Sequence, residues 1–465
     1  MTTTTQTAFS RFIADANAKA FDKTHRKTIR HNMGKYDTAV ENGLHQFSNH
    51  SLAKERASYF KAKAIHQLPE LLEQFEENIT KNGAHVLWAR DAKEALKLVT
   101  EIMDERMATT VVKSKSMTTE ELDLNEYFEH KGLEAIETDL GEFIVQMAGQ
   151  KPYHIVTPCM HMSKADIAKL FHEKLNIPLT DNAEELVAVA RHILREKYTT
   201  ADVGITGANF LIADTGSIAI TENEGNARLS VTFPKTHIVI AGIEKVLPNL
   251  RHLHTIWPLL ATHGTGQQVT VYNTIISGPR SRNEYDGPSE MFVVLIDNGR
   301  TNLLADPEKR EALKCIRCGA CLNACPVYRN IGGHSYGTTY QGPIGSVITP
   351  HFKGMEEFKH LSYASSLCGA CSEVCPVKID LSKLLLLNRK QAVESGQVPA
   401  TERTAIKLWA FAMQHKALVN FPGASLKNWA AHQFLKETWS KNRTDITFAK
   451  QSFTALWKSR RKHKS

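Results

Sequence analysis

Seven of the chain's eight cysteines fall between positions 315 and 375, and their spacing limits what this region can become. The first run reads Cys315-x2-Cys318-x2-Cys321-x3-Cys325-Pro326. Soft thiolates at two-residue intervals let three sulfurs converge on one iron–sulfur core, while the fourth cysteine, before proline, points to a neighbouring core. Zinc also takes four thiolates, but its usual pattern is two separated Cys-x2-Cys knuckles. The second run, Cys368-x2-Cys371-x3-Cys375-Pro376, lacks its first cysteine, and Ser365 stands in that register. Crossing the ligands assigns Cys315, Cys318, Cys321 and Cys375 to one cluster and Cys325, Cys368 and Cys371 to the other. Two complete [4Fe-4S] cores need eight thiolates and seven are present. The open corner has three readings: the Ser365 hydroxyl, a water, other side chain or substrate, or loss of the iron to leave a [3Fe-4S] core. Tyr328, His334, Tyr336 and Tyr340, between the runs, are candidate hydrogen-bond donors to the clusters.

The eighth cysteine, Cys159, reads as a core thiol, and His161 beside it as a satisfied histidine. Clustered cysteines in a chain of 465 residues with no apolar signal core at its start point to metal in a reducing compartment rather than to disulfides, and a cytoplasmic protein is expected. No apolar run approaches the roughly 18 residues of a membrane span. The net charge of +8 is local: residues 441–465 carry eight Lys/Arg and one Asp. The remainder is nearly neutral, which argues against a nucleic-acid partner and leaves the basic tail as a handle for an acidic partner or peripheral contact with a membrane.

Four regions are expected. Residues 1–65 read as polar helix. Residues 66–305 alternate helix-like and strand-like segments, the pattern of an α/β domain. Strands are expected at "AHVLWA", "TTVVKSK", "SIAIT", "THIVIAGI", "QQVTVYNTIIS" and "MFVVLIDNG", and also at "EFIVQM", "YHIVTP" and "RLSVTF". Asp181 is expected to cap a helix with Glu184 three residues on. Residues 306–395 form a mainly helical cluster domain. Residues 396–465 are a helical extension ending in the basic tail.

The cysteine runs "CIRCGACLNACPVYR" and "YASSLCGACSEVCPVKIDL", behind "GITGANFLIADTGSIAITENEGNARLSVTFPKTHIVIAGIEK", resemble the lactate-utilisation protein B family. The resemblance covers roughly residues 30–435 and includes the missing first cysteine. It implies a sugar-isomerase/CoA-transferase-like α/β domain followed by a ferredoxin-like domain with two clusters, the second held by Cys325, Cys368 and Cys371. It also implies two companion proteins, the three together oxidising L-lactate to pyruvate, with the electron acceptor unspecified. "ENEGN" is similar to the glutamate-bearing loops of CoA transferases and nominates Glu224. Arg228 is the candidate for holding a carboxylate, with Asp214, Gly216 and Asn226 near it in sequence. The competing expectation is an α/β-domain enzyme acting on a small carboxylate or CoA ester, with structural clusters. "GITGAN" lacks the three-glycine dinucleotide fingerprint.

Overall fold

The computed structural model describes residues 7–421, 423–436, 439–440 and 443–462. They form two compact units, one running to Gln391 and the other starting at Ala392.

The first unit opens with four helices, Ala8–Phe21, Lys23–Leu44, His50–His66 and Leu68–Lys81. Thr7, Asp22 and Asn49 cap the first three by accepting from backbone N–H groups three residues on, satisfying donors the helix cannot. Ten strands follow: β1 (His85–Ala89), β2 (Thr110–Lys113), β3 (Glu134–Glu137), β4 (Val203–Gly207), β5 (Phe210–Ile212), β6 (Ser217–Glu222), β7 (Thr236–Gly242), β8 (Val246–Leu247), β9 (Tyr272–Ile276) and β10 (Glu290–Ile296). Six make a parallel sheet in the order β1-β10-β7-β4-β2-β3. Every residue of β7 is buried and β10 is buried from Met291 onward, as expected where helices cover both faces of a parallel sheet. A smaller mixed sheet has the order β8-β5-β6-β9. The first unit is therefore mixed α/β, and its cysteine region is a set of short helices around turns.

Three expected strands are absent. "EFIVQM" lies in helix Leu140–Met147, because the Asp139 carboxylate accepts from the Glu142 N–H and starts the helix. "RLSVTF" lies largely in helix Asn226–Thr232, which begins after Gly225 at φ +77°. There the Glu222 carboxylate accepts from the N–H groups of Ala227 and Arg228, and this N-terminal charge outweighs the β-branched composition. "YHIVTP" is irregular chain. The helix over Ala183–Thr200 is capped by Asn182, not Asp181.

The second unit contains helices Ala400–Gln414, Lys416–Asn420, Ala424–Leu435 and Phe453–Lys462. Trp409, Phe411 and Trp429 are exposed on them. Of the basic tail, Lys441 and Lys464 lie outside the described residues. No helix among the described residues is long and apolar enough to cross a membrane.

Candidate iron–sulfur sites and an adjoining cavity

Cys315, Cys318, Cys321 and Cys375 line one small cavity, walled by Ile155, Ile344, Val377 and Leu381. The crossed set expected from the spacing is thus brought together by the fold. Burial pushes the Cys318 and Cys321 thiols far above their ordinary range and Cys375 up to about 11. Thiols at Cys318, Cys321 and Cys375 whose ionised form is starved of water suit a metal centre, which supplies the missing positive charge. Backbone N–H groups already aim at two of the sulfurs: Arg317 donates to Cys315 Sγ at 3.4 Å and Ile379 to Cys375 Sγ at 3.3 Å. The short helices Ala320–Ala324 and Ala370–Val374 that carry the two runs pack against each other, and Cys325 feels the charges of Cys371 and Cys368. Cys368 is exposed, whereas Cys325 and Cys371 are buried.

The two runs repeat one backbone design. Arg317 and Leu367 both sit at positive φ (+61° and +54°), as do Gly319 and Gly369 (+81° and +84°). Each glycine is followed by a five-residue helix, Ala320–Ala324 or Ala370–Val374, leading to a cysteine in extended conformation. Glycine accepts this left-handed geometry without strain, and Arg317 and Leu367 adopt it at a cost. Ser365 falls where the first run has Cys315. Its Oγ accepts from the Leu367 N–H at 3.1 Å, the counterpart of the Arg317-to-Cys315 bond. Of the four intervening candidates, Tyr328 donates to the Tyr153 carbonyl, Tyr340 to Glu121, and His334 contacts the Lys151 carbonyl. The buried Tyr336 hydroxyl has no partner among the described residues and faces the Cys325 and Cys321 environment.

A larger cavity of about 370 Å³ lies at the C-terminal ends of the parallel strands and touches Cys318. Its walls include Ser114–Ser116 after β2, Asp139 after β3, Gly207–Asn209 at the end of β4 and Lys245 after β7. Gly207 is needed there, since a Cβ would come within 2.5 Å of Ser116 Oγ. Glu224 is in this wall. Burial, then the Asp139 charge, raise its carboxyl to about 7, against a 3.0 Å hydrogen bond from the Leu140 N–H. Arg228 is not part of it: its Nε donates to Thr274 and its guanidinium stacks on Tyr272. Asp214 accepts from the Leu250 N–H and Gly216 packs on Asn78, so of that group only Asn226 joins Glu224 at the cavity. Cys159 is partly buried with its thiol raised to about 11, and His161 hydrogen-bonds Gln150 at 2.7 Å.

The cavity wall holds three cations that the sequence reading did not single out, Lys115, Lys245 and Arg317. Lys245 is buried, its ammonium brought down to about 8 by desolvation against the pull of Glu244. Arg317, in the first cysteine run, pairs with Glu244 at 3.4 Å and stacks over Tyr340. Burial would raise Glu244, but Arg300, Arg317 and Lys245 together reverse this and hold it at about 2.

The raised Glu224 gives a pH signature. A carboxyl that keeps its proton longer when folded is stabilising only below its unfolded value; as pH rises from there through about 7, the unfolded state releases the proton first and stability falls. Glu224→Gln, which cannot ionise, is expected to melt above the parent protein at pH 8 and level with it at pH 4. Equal melting temperatures at both values would contradict the raised carboxyl.

A LUD domain family model matches residues 72–296 and a 4Fe-4S dicluster domain model matches residues 311–379. The chain is 47% identical over 345 residues to Lactate utilization protein B of Bacillus subtilis, covering 74% of this chain and 72% of the relative. Lactate utilization protein B of Bacillus licheniformis is 46% identical over 359 residues, covering 77% and 74%. An uncharacterized electron transport protein of Escherichia coli K12, YkgF, is 43% identical over 365 residues, covering 78% and 77%. With the cysteine cradle, the α/β unit and these relatives in agreement, the chain belongs to the lactate utilization protein B family, an iron–sulfur family that joins a LUD domain to a 4Fe-4S dicluster domain.

Proposed function

We propose that this chain is the iron–sulfur electron-transfer component of an assembly with two companion proteins that oxidises L-lactate to pyruvate. The observation that carries the reading is Cys318, which lines both the cysteine-walled cavity and the 370 Å³ cavity of the α/β region. Cys315, Cys318, Cys321 and Cys375 would hold one [4Fe-4S] group, and Cys325, Cys368 and Cys371 the other, with Ser365 Oγ at the fourth position. When bound, such groups take up and release single electrons. The protein's own residues set the conditions: the Arg317 and Ile379 N–H groups and the Tyr336 hydroxyl can donate toward sulfur, and such bonds tune the potential. Buried Cys318 faces the inner cavity while exposed Cys368 faces outward, so the two sets offer an internal and an external end. The α/β part is read as sugar-isomerase/CoA-transferase-like. The protein is read as cytoplasmic, with Lys458 and Arg460 near its C-terminal end suited to an anionic membrane face. L-lactate added anaerobically to the complete assembly is expected to bleach its visible iron–sulfur absorption. Clusters bleached by dithionite but not by lactate would contradict the reading.

The Ser365 assignment has its own test. Ser365→Cys supplies an eighth thiolate and is expected to suppress any three-iron paramagnetic signal after exposure to air. Ser365→Ala is expected to enlarge that signal. Spectra and iron content unchanged in Ser365→Ala would remove Ser365 from the ligand set.

A second reading, in which the α/β region is an enzyme acting on a small carboxylate or CoA ester and the clusters are structural, draws on the placement of Glu224 in the cavity. It requires clusters that dithionite does not reduce.

A further inference from the structure

The parallel sheet changes direction once. From β2 the chain adds β3 on one side; the later strands β4, β7 and β10 build outward on the other. The crevice at such a reversal, outside the carboxyl ends of the strands, is where open α/β sheets bind ligands, because the two loops leave in opposite directions and no helix fills the gap. Here the flanking loops are Ser114–Ser116 from β2 and Gly207–Asn209 from β4, and both line the 370 Å³ cavity. That volume lies near the lower end of small-molecule sites, about 300–1,000 Å³.

The polar groups around it are unequally occupied. Glu222 is taken up by the N–H groups of Ala227 and Arg228 and Asp139 by that of Glu142, whereas Arg317 reaches Glu244 through one terminal nitrogen and keeps its Nε and its other terminal nitrogen without a partner among the described residues. Lys115 donates to the Val156 carbonyl. Lys245 has no such contact at all: among the described residues no hydrogen bond or ion pair engages its ammonium, although the side chain is buried in the cavity wall. A buried cation without a hydrogen-bonding partner is costly, and an anionic ligand group beside it relieves that cost. Glu224 lines the same cavity, with Asp139, Lys115, Glu222, Cys159 and Tyr198 as its charged or titratable surroundings. It provides a carboxyl able to hydrogen-bond a ligand oxygen.

We propose that this crevice is a binding site for a small 2-hydroxy- or 2-oxocarboxylate, with the ligand carboxylate on Lys245 and its 2-hydroxy or 2-oxo oxygen on Glu224, beside the Cys318 rim of the cysteine-walled cavity. This deepens the electron-transfer reading and rests on it, because it places the substrate-class site within this chain rather than wholly on a companion. The volume exceeds the needs of a three-carbon acid, so longer 2-hydroxy acids are accommodated as well.

The test is calorimetric titration of the full chain, purified anaerobically with its clusters, using L-lactate, 2-hydroxybutyrate, pyruvate and acetate. The hydroxy and oxo acids are expected to bind and acetate to bind at least about tenfold more weakly, having no oxygen on its second carbon. Lys245→Met is expected to weaken binding about tenfold to a hundredfold. Lys81→Met, which removes an exposed cation paired with Glu77, is expected to leave binding unchanged. Iron, sulfide and dithionite reduction are measured on every sample. Redox-active clusters with no heat from any acid and no change in the paramagnetic spectrum of the unsubstituted protein on adding L-lactate would overturn the site while leaving the electron-transfer reading standing. Clusters that dithionite cannot reduce would overturn the electron-transfer reading itself, and the present inference with it.

Discussion

Cys318→Ala is expected to lose about half of the iron and sulfide, because one of two four-iron cradles loses a corner. The position is severe for two reasons. Cys318 is buried with Cys321 and Cys375 around one cavity, and among the described residues no further cysteine beyond Cys315 lines that cavity to replace it. It also lies on the wall of the larger cavity, so lactate-dependent reduction in the complete assembly should fall to background. The matching control is Cys159→Ala, outside both runs, which should keep its iron. Iron and sulfide per chain, measured beside the reduced paramagnetic spectrum, check both. A full complement of iron in Cys318→Ala would remove Cys318 from the ligand set.

The second large effect is on stability. Arg300 is fully buried, grips Glu121 through both terminal nitrogens at 2.9 and 2.8 Å, bonds Glu244 through Nε and stacks on Phe352. Tyr340 and Asn298 also donate to Glu121, while Arg317 of the first cysteine run pairs with Glu244. Arg300→Met leaves two buried carboxylates short of their main counter-charge, a change that costs about 3–5 kcal/mol. The sign with pH follows from Glu244, held at about 2 in the fold: its ion pairs stabilise above the unfolded carboxyl value and fade as pH falls toward 2. The deficit of Arg300→Met should therefore be largest at neutral pH and shrink toward pH 3, where both carboxyls can take protons. Arg300→Lys keeps the charge without the planar fork and should recover only part of the loss. Denaturant unfolding at two pH values measures both effects.

The parts of the molecule that could be read from its sequence are those whose chemistry is local. The cysteine spacing implied crossed cradles because three thiols two residues apart can only wrap one centre, and Ser365 was visible as the register gap. The buried strands β7 and β10 announced themselves by length and β-branched content. β3 did not: "EAIE" is an acidic edge strand whose place is fixed by pairing with β2. Helix Asn226–Thr232 was misread as a strand because its start depends on the Glu222 carboxylate turning back to hold its first N–H groups. The same turn explains the division between the two nominated catalytic residues. Glu224 precedes the helix and faces the cavity, whereas Arg228 is carried round to Thr274 and Tyr272. Lys245 had no sequence signal, since "GIEK" after a strand is ordinary. Its importance comes from a short 3-10 turn that buries it beside the cysteine runs.

The most direct measurement of the central claim is a redox titration of the anaerobically purified protein followed by electron paramagnetic resonance, with iron and acid-labile sulfide counted on the same sample. The account predicts two iron–sulfur centres that are reduced and reoxidised in separate one-electron steps. Zinc without sulfide, or iron–sulfur centres that stay silent at every potential, would contradict it.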